Sequence, residues 1–301
     1  MSFFTDLIEN EEKNKILPST LYLIATPIGN LADFSARAVK ALAGVDFIAA
    51  EDTRNAQKLL SLFDIPSKEC VSYFEHNKRE KGEYIVRRLL SGESCALVTD
   101  AGTPAVSDPG EDLVRLCAES GVTVTAVPGC CAAINALSLS ALSTGRFAFE
   151  GFLSANASER RRHLEKLIFE ERTLIFYEAP HKLRATLSDL YAIFGDRRIS
   201  LCREMTKLNE EIMRTTLKGA VEYYEENAPR GEYVLILEGT DALSPECRPQ
   251  KEESAWYASL SHEAHVAAYE AKGLSRMDAI KSAAKDLGLS KSELYKELNC
   301  K

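Results

Sequence analysis

The chain has 301 residues, of which 45% are hydrophobic and 27% are charged, and its formal net charge is −8. This length and composition allow two domains with cores of their own and a smaller appended unit. The net negative charge argues against non-specific binding along nucleic acid, because such binding depends on a broad positive potential. A local basic surface is still compatible with this charge.

Residues 1–19 are predicted to form a polar leader. No basic segment precedes an apolar run there, so a signal peptide is not expected, and no apolar run elsewhere has membrane-spanning length. The eight cysteines show neither CxxC spacing nor a zinc-type arrangement with histidine. We therefore expect a reduced, cytoplasmic protein with no membrane partner and no metal.

Residues 20–131 alternate apolar runs with amphipathic stretches, a rhythm typical of βαβ units and a mostly parallel sheet. Strands are predicted near 21–26, 45–50, 69–74, 94–99 and 122–127. Because parallel strands end at the same edge of a sheet, the tips of all but the third are expected to form a ligand site together.

The fourth run opens into Asp100-Ala-Gly-Thr-Pro104, and a helix is predicted to restart after Asp108-Pro-Gly110. Gly102 allows the main chain to approach a ligand closely, and Pro104 fixes the direction of exit. The first run ends in the same fashion, in Thr26-Pro-Ile-Gly-Asn30. Neither turn matches a P-loop or a dinucleotide fingerprint, so nucleotide binding of those kinds is not expected.

Charged residues follow the second and third runs. Asp52 or Thr53 is expected to cap a helix over 54–63, while Arg54 is predicted to face a substrate. After the third run, His76 is the only histidine at a strand tip of the first sheet, where a weak base has catalytic value.

A second α/β domain is predicted over 132–240, with strands at 172–177, 198–203, 213–217 and 232–238. Some of these runs are short and closely spaced, so antiparallel pairing and a mixed sheet are expected. Three polar segments of this domain are either structural or in contact with a ligand: Arg160–Arg162, Tyr177–His181 and Arg203–Glu211.

A linker is predicted over 241–253, followed by a helical module over 254–301. Ser275-x-x-Asp278 and Ser290-x-x-Glu293 fit capping boxes, and Gly273 and Gly288 are natural helix stops before them. Three short helices of this kind resemble a helix-turn-helix module. Such a small core is marginal by itself, so the module is expected to lean on another surface, such as a second subunit.

Five ordered motifs now carry a family resemblance. They are similar to those of the RsmI-type small-subunit ribosomal RNA (cytidine-2′-O)-methyltransferases, within the tetrapyrrole methylase superfamily. The motifs are Ala25–Leu31, Ala50–Arg54, Asp100–Pro104 with Ser107–Gly110, Tyr177–His181 and Glu204–Lys207. The resemblance covers residues 20–240 and implies a homodimeric enzyme that binds S-adenosylmethionine in a cleft between its two α/β domains.

The resemblance also implies which residues form the site. The cofactor is expected against Pro27, Asp100, Gly102, Thr103, Pro104, Val106, Cys131, Ala132, Phe176 or Tyr177, Met205 and Leu235. Candidate catalytic groups near the cleft are Asp52, Glu75, His76 and Lys207, of which a cationic lysine would stabilise an alkoxide rather than accept a proton. Candidate phosphate contacts are Arg54, Lys78, Arg79, Arg160, Arg161 and Arg162.

The chain departs from the family pattern in places. Cys130-Cys131 stands where the family usually has Pro-Ser, and Ala105 replaces a usual glycine. A methyltransferase acting on a tetrapyrrole precursor and a non-catalytic RNA-binding or assembly factor remain as alternative functions. The Ala50–Arg54 motif and the C-terminal module favour RNA over a tetrapyrrole.

Overall fold

The computed structural model of the protein describes residues 15–240, 260–271, 274–287 and 289–299. The chain divides into two compact units, Met1–Leu243 and Ser244–Lys301. Most of the predicted leader, the whole predicted linker 241–253 and the predicted helix stops Gly273 and Gly288 lie outside the described residues.

The first sheet of the larger unit was predicted to be mostly parallel, and all of its strand pairings are parallel. Its strands lie in the order β3-β2-β4-β1-β5. They are β1 (Thr20–Ile24), β2 (Phe47–Ala50), β3 (Glu69–Ser72), β4 (Cys95–Val98) and β5 (Thr123–Val127). Its connecting helices are α1 (Ala36–Gly44), α2 (Thr53–Leu62), α3 (Lys78–Leu90) and α4 (Gly110–Glu119).

Helices cover both faces of this sheet. Leu42 of α1 and Leu60 of α2 pack on one face, and Leu89 of α3 and Leu113 of α4 pack on the other. Strands buried on both faces need apolar residues at successive positions, which is why the central strands read as continuous apolar runs in the sequence.

The second sheet is mixed, as predicted, and its strands lie in the order β6-β7-β10-β8-β9. Only β6 and β7 pair in parallel, and the other three pairings are antiparallel. The strands are β6 (Phe147–Phe152), β7 (Thr173–Glu178), β8 (Arg198–Arg203), β9 (Glu211–Thr216) and β10 (Tyr233–Leu237). The associated helices are α5 (Ala132–Leu139), α6 (Ala157–Lys166), α7 (Pro180–Phe194) and α8 (Leu217–Glu226).

The two faces of the second sheet are covered unequally. Leu164, Leu187 and Leu217, from α6, α7 and α8, pack against one face. The other face carries α5 through Ala136, with Ile28 from the loop after β1 packed beside it. The rest of that face therefore lies open toward the carboxyl edge of the first sheet.

The described part of the smaller unit contains three helices, α9 (His262–Ala271), α10 (Arg276–Asp286) and α11 (Lys291–Asn299). Both predicted N-caps form: Ser275 Oγ accepts from the Asp278 amide at 3.3 Å, and Ser290 Oγ accepts from the Glu293 amide at 3.2 Å. The Ser290 amide donates back to Glu293 at 2.8 Å, which completes a capping box. Of all the helices described in the chain, none combines the length and apolar character needed to span a bilayer.

Candidate active site

Hydrogen bonds to main-chain groups tie together three strand tips at the carboxyl edge of the first sheet. After β1 and β4, the Thr26 amide donates to Gly102 O at 2.9 Å and the Gly102 amide donates to Thr26 O at 3.1 Å. Thr103 Oγ1 donates to Cys130 O, beyond β5, at 2.9 Å. Gly102 has φ +86°, and a Cβ there would lie 3.4 Å from the Ile28 side chain. A glycine is therefore favoured at this crossing point.

The carboxylate of Asp108 organises the loop between β4 and α4. It accepts from the amides of Ala105 (3.1 Å), Val106 (3.2 Å) and Gly110 (2.7 Å). Ala105 and Ser107 both have left-handed backbone, with φ +65° and +63°. That conformation costs a residue with a side chain about 1–2 kcal/mol, so the three hydrogen bonds offset strain in the loop.

A cavity of about 330 Å³ lies between this edge and the open face of the second sheet. It brings together most residues that the sequence placed at the cofactor. The predicted residues that line it are Asp100, Gly102, Thr103, Val106, Cys131, Ala132, Tyr177, Met205 and Lys207.

The remaining predicted cofactor residues do not line this cavity. The side chains of Phe176 and Leu235 pack in the core on the far face of the second sheet, whereas their neighbours Tyr177 and Val234 line the cavity. Alternate residues of a strand face opposite sides, so only one member of each pair can point to the site. Pro104 is buried in the loop, and Pro27 lines a neighbouring groove.

Main-chain donors are available at the cavity wall. Within residues 15–240, the amides of Ala101 and Thr103 have no hydrogen-bond partner, whereas both main-chain groups of Gly102 are occupied by Thr26. The Tyr177 hydroxyl accepts from the Ala133 amide at 3.2 Å, in the first turn of α5. Burial raises the pKa of Tyr177 to about 12, so this phenol stays neutral.

Carboxylates dominate the charge of the cavity. Glu178 is neutralised by Lys182 at 3.0 Å, and Glu232 pairs with Lys207 at 2.8 Å. Glu51 and Asp100 also line the cavity, and neither forms an ion pair within the described part of the chain. Partial desolvation, followed by the charges of Asp100 and Asp108, raises the pKa of Glu51. A cation bound beside Glu51 would relieve this repulsion.

Lys207 projects into the cavity at the boundary between the two sheets. Its Nζ contacts Glu204 Oε1 at 2.9 Å and Glu232 Oε2 at 2.8 Å. Desolvation lowers the pKa of Lys207, but these two hydrogen bonds outweigh it and hold the pKa above its ordinary value. Gly29 makes room for the lysine stem, because a Cβ there would overlap Lys207 Cγ. The site thus holds a permanently protonated amine.

Asp52 and Arg54 form an ion pair with each other and do not line the cavity. Asp52 caps α2, as predicted, by accepting from the Arg54 amide at 2.8 Å, and its carboxylate pairs with the Arg54 guanidinium at 2.7 Å. The hydrogen bonds from Arg54 lower the pKa of Asp52 to about 2. The Arg54 side chain is 84% exposed, so its charge faces solvent.

The other charged candidates lie away from the cavity. His76 is exposed beside Phe74, and Lys78 bridges Glu75 and Asp112 at 2.7 Å each. Arg79 is exposed at the start of α3. These residues form a separate polar surface after β3.

The three consecutive arginines of α6 differ in how deeply they are buried. Arg160 is 4% exposed and pairs with the buried Asp189 at 2.6 Å. Arg161 binds the other oxygen of Asp189 at 2.7 Å but remains largely exposed, as does Arg162. Only the last two arginines are available to a phosphate at the surface.

Several lining residues were not singled out from the sequence, among them Thr99, Phe152 and Glu232. Phe152 ends β6, a strand that lies outside the clear apolar runs, and Glu232 immediately precedes β10. Their positions at strand ends were a usable signal, but their common location depends on how the two sheets face each other.

A second space adjoins the cavity. This groove, of about 250 Å³, shares Thr99 and Asp100 with the cavity and runs between α2 and the loop after β1. Asp52 lines it as well. Within the described ranges, no cluster of three or more histidine, cysteine or acidic side chains has the arrangement of a metal site.

Comparison with known proteins identifies both a family and close relatives. Residues 20–221 match the model of the tetrapyrrole (corrin/porphyrin) methylases. The chain is similar to ribosomal RNA small subunit methyltransferase I of Halalkalibacterium halodurans, with 46% identity covering 92% of this chain and 93% of that protein. The protein of the same name from Synechocystis is 45% identical, covering 91% of this chain and 95% of that protein.

The fold is shared with more distant proteins. The crystal structure of a diphthine synthase superimposes with a TM-score of 0.55 at 13% identity, covering 73% of this chain and 90% of that one. At this identity the likeness concerns the fold alone.

Replacing Asp108 tests whether its carboxylate holds the cavity loop. Asp108→Ala is expected to lower the free energy of unfolding by about 1–3 kcal/mol, because three amides lose their acceptor. Asp108→Asn retains one carbonyl oxygen as an acceptor, so its free energy of unfolding should fall by less. Urea denaturation of both variants measures the difference, and equal stability of the alanine variant and the parent protein would contradict this role.

Proposed function

The chain belongs to the tetrapyrrole (corrin/porphyrin) methylase family, and from its similarity to ribosomal RNA small subunit methyltransferases within that family we propose that it methylates the 2′-hydroxyl of a cytidine in small-subunit ribosomal RNA. S-adenosylmethionine is the proposed methyl donor. The cavity between the two sheets carries the proposal, because its free amides and unpaired carboxylates suit that donor.

The relatives support RNA as the substrate. Proteins at least 45% identical over nine-tenths of this chain bear the name ribosomal RNA small subunit methyltransferase I. This favours RNA over the tetrapyrrole precursor considered from the sequence. A scaffold without catalytic function would have no need of a donor cavity at the strand tips.

The residues of the cavity fit a sulfonium donor. S-adenosylmethionine would supply an electrophilic methyl group on a positively charged sulfur, together with an α-ammonium and a carboxylate. The amides of Ala101 and Thr103 can donate to its polar groups, while Glu51 and Asp100 offer negative charge that pairs with no cation in the described part of the chain. Apolar surface from Met205 and Val234 completes the wall.

Positioning supplies most of the catalysis in this proposal. Methyl transfer to a ribose hydroxyl breaks a carbon–sulfur bond, forms a carbon–oxygen bond and releases the hydroxyl proton. Alignment of two reactants contributes about 7–11 kcal/mol to lowering a barrier, whereas a general base contributes roughly 10²–10⁴-fold in rate. The strand tips tied by Thr26, Gly102 and Cys130 give the rigid frame that alignment needs.

The charged groups differ in whether they can stabilise the developing negative charge or accept the hydroxyl proton. Protonated Lys207 can stabilise negative charge that develops on the hydroxyl oxygen. Asp52, with its pKa lowered to about 2, is a poor proton acceptor. Glu51, whose pKa is raised, and Asp100, which lines both spaces, are the carboxylates that can take the proton.

Three further parts of the proposal concern the setting of the enzyme. We assign residues 20–131 and 132–240 to the two methylase lobes and 254–301 to a helical module. The cytoplasm is the expected location, since ribosomal subunits are assembled there, and a homodimer is the form that the family resemblance implies. Arg161 and Arg162 are the proposed phosphate contacts on α6.

Deleting the gene tests the proposed reaction directly. Small subunits from the deletion strain should lack one 2′-O-methyl group, and purified protein with labelled S-adenosylmethionine should restore it. Methylation of a tetrapyrrole precursor instead would establish the alternative enzyme. If the donor does not bind in calorimetry, the protein is a scaffold and the proposal fails.

Glu51→Gln separates binding of the donor from folding. Folding raises the pKa of Glu51, so the ionised carboxylate destabilises the folded state at pH values above its ordinary pKa of 4.5. The unliganded variant should therefore melt no lower than the parent at neutral pH. Affinity for S-adenosylmethionine should fall about threefold to tenfold, on the order of 1 kcal/mol.

The pH dependence gives the same experiment a second readout. Parent affinity should decline as pH falls through the raised pKa of Glu51, because the carboxylate becomes neutral, and this decline should be smaller in Glu51→Gln. Calorimetry over a pH series measures both. An unchanged affinity in the variant at neutral pH would remove Glu51 from the donor site.

The double variant Arg161→Ala, Arg162→Ala tests the phosphate contacts. The slope of log affinity against log salt for RNA should become shallower by roughly 1–2, while donor affinity stays constant. Arg160 is left in place because its removal would strand the buried charge of Asp189. An unchanged slope would rule out contact between these two arginines and the RNA.

A further inference from the structure

The groove beside the cavity is a separate space with its own walls. One wall is the face of α2 that carries Asn55, Leu59 and Leu62, residues spaced four, three and seven positions apart on one side of the helix. The opposite wall is the loop after β1, with Leu31 exposed toward solvent. The floor is formed by the tips of β1, β2 and β4.

The groove meets the cavity at the tip of β4. Thr99 and Asp100 line both spaces. Gly29 lines the groove while the Lys207 stem packs over it from the cavity side. A group held in the groove therefore reaches the cavity beside Asp100, one of the two carboxylates that can take the proton, and beside the stem of Lys207, whose amine can stabilise the developing negative charge.

From this continuity we infer that the groove binds the acceptor as a single nucleotide extruded from its RNA helix, with the ribose at the Thr99–Asp100 junction. The inference rests on the proposed function. A space of about 250 Å³ between a helix and a loop has no room for a duplex. Enzymes that act on a nucleotide inside a helix commonly extrude it into such a pocket.

The chemistry of the walls suits a cytidine. Leu31 and Leu62 offer apolar surface to the two faces of a base. The Asp52 and Asp100 carboxylates can accept from an amino group such as that of cytosine or from ribose hydroxyls. Asn55 Nδ2 donates to Asp100 Oδ1 at 3.2 Å, which orients that carboxylate. Lys58 lines the groove, is exposed and has no ion pair among the described residues, so its amine can contact a phosphate.

Leu62 provides a test with a matched control. It is the last residue of α2 and is 62% exposed, while Leu90 is the last residue of α3 and is 59% exposed, outside the groove. Glutamate at position 62 would place a negative charge where the RNA is held. Leu62→Glu is expected to raise the KM for unmethylated small subunits at least tenfold, with donor affinity within twofold of the parent. Leu90→Glu should leave both unchanged.

Leu31→Glu, on the opposite wall, should reproduce the effect of Leu62→Glu, and melting curves of all three variants verify folding. If KM for the subunits stays within twofold of the parent in both groove variants, the inference is wrong. If instead donor affinity falls tenfold, the donor occupies the groove and the inference is also overturned. Failure of the proposed function is distinguishable, since the parent protein itself would then methylate no RNA.

Discussion

The paired hydrogen bonds between Thr26 and Gly102 are the interaction on which the site depends. They join the ends of β1 and β4, which are neighbours in the sheet, beyond the point where regular pairing stops. Thr103 extends the connection to Cys130 after β5. Three loops that would otherwise move independently become one wall, and the free amides of Ala101 and Thr103 are held at fixed positions on it.

The same wall explains the electrostatics of the site. Because main-chain groups form the wall at the strand tips, the side chains there determine the charge of the cavity. Most of the charged side chains are acidic. Among the described residues, Glu51 and Asp100 have no ion-pair partner, whereas Glu178 and Glu232 do. The cavity thus favours a positively charged ligand, and Lys207, which also lines it, is held against two glutamates. Both the charge and the main-chain geometry of the cavity suit the sulfonium donor that the family uses.

Several residues with left-handed backbone lie in loops beside the cavity. Ala105, Ser107, Glu204 and Thr206 have positive φ, and they lie in the loops after β4 and β8. Glycine at 231 allows the Glu204 side chain to lie against the chain there, just as Gly29 does for Lys207. Strain of this kind persists where surrounding contacts fix it, and it is common at functional sites. In this protein, Asp108 and the Lys207 ion pairs are those contacts.

The two α/β sheets, their parallel and mixed pairing, and the strand tips that line the cavity could be predicted from the sequence alone. Local patterns suffice there: apolar runs give buried strands, Gly102 and Asp108 give turns, and Ser290 gives a helix start. The family resemblance added the donor and the substrate class. Tertiary structure alone decided that Tyr177 and not Phe176 faces the cavity, that Arg160 is buried on Asp189, and that Glu51 and Glu232 share a site. Those outcomes depend on which side of a strand or helix meets a distant element, and that choice is made by packing between segments far apart in the chain.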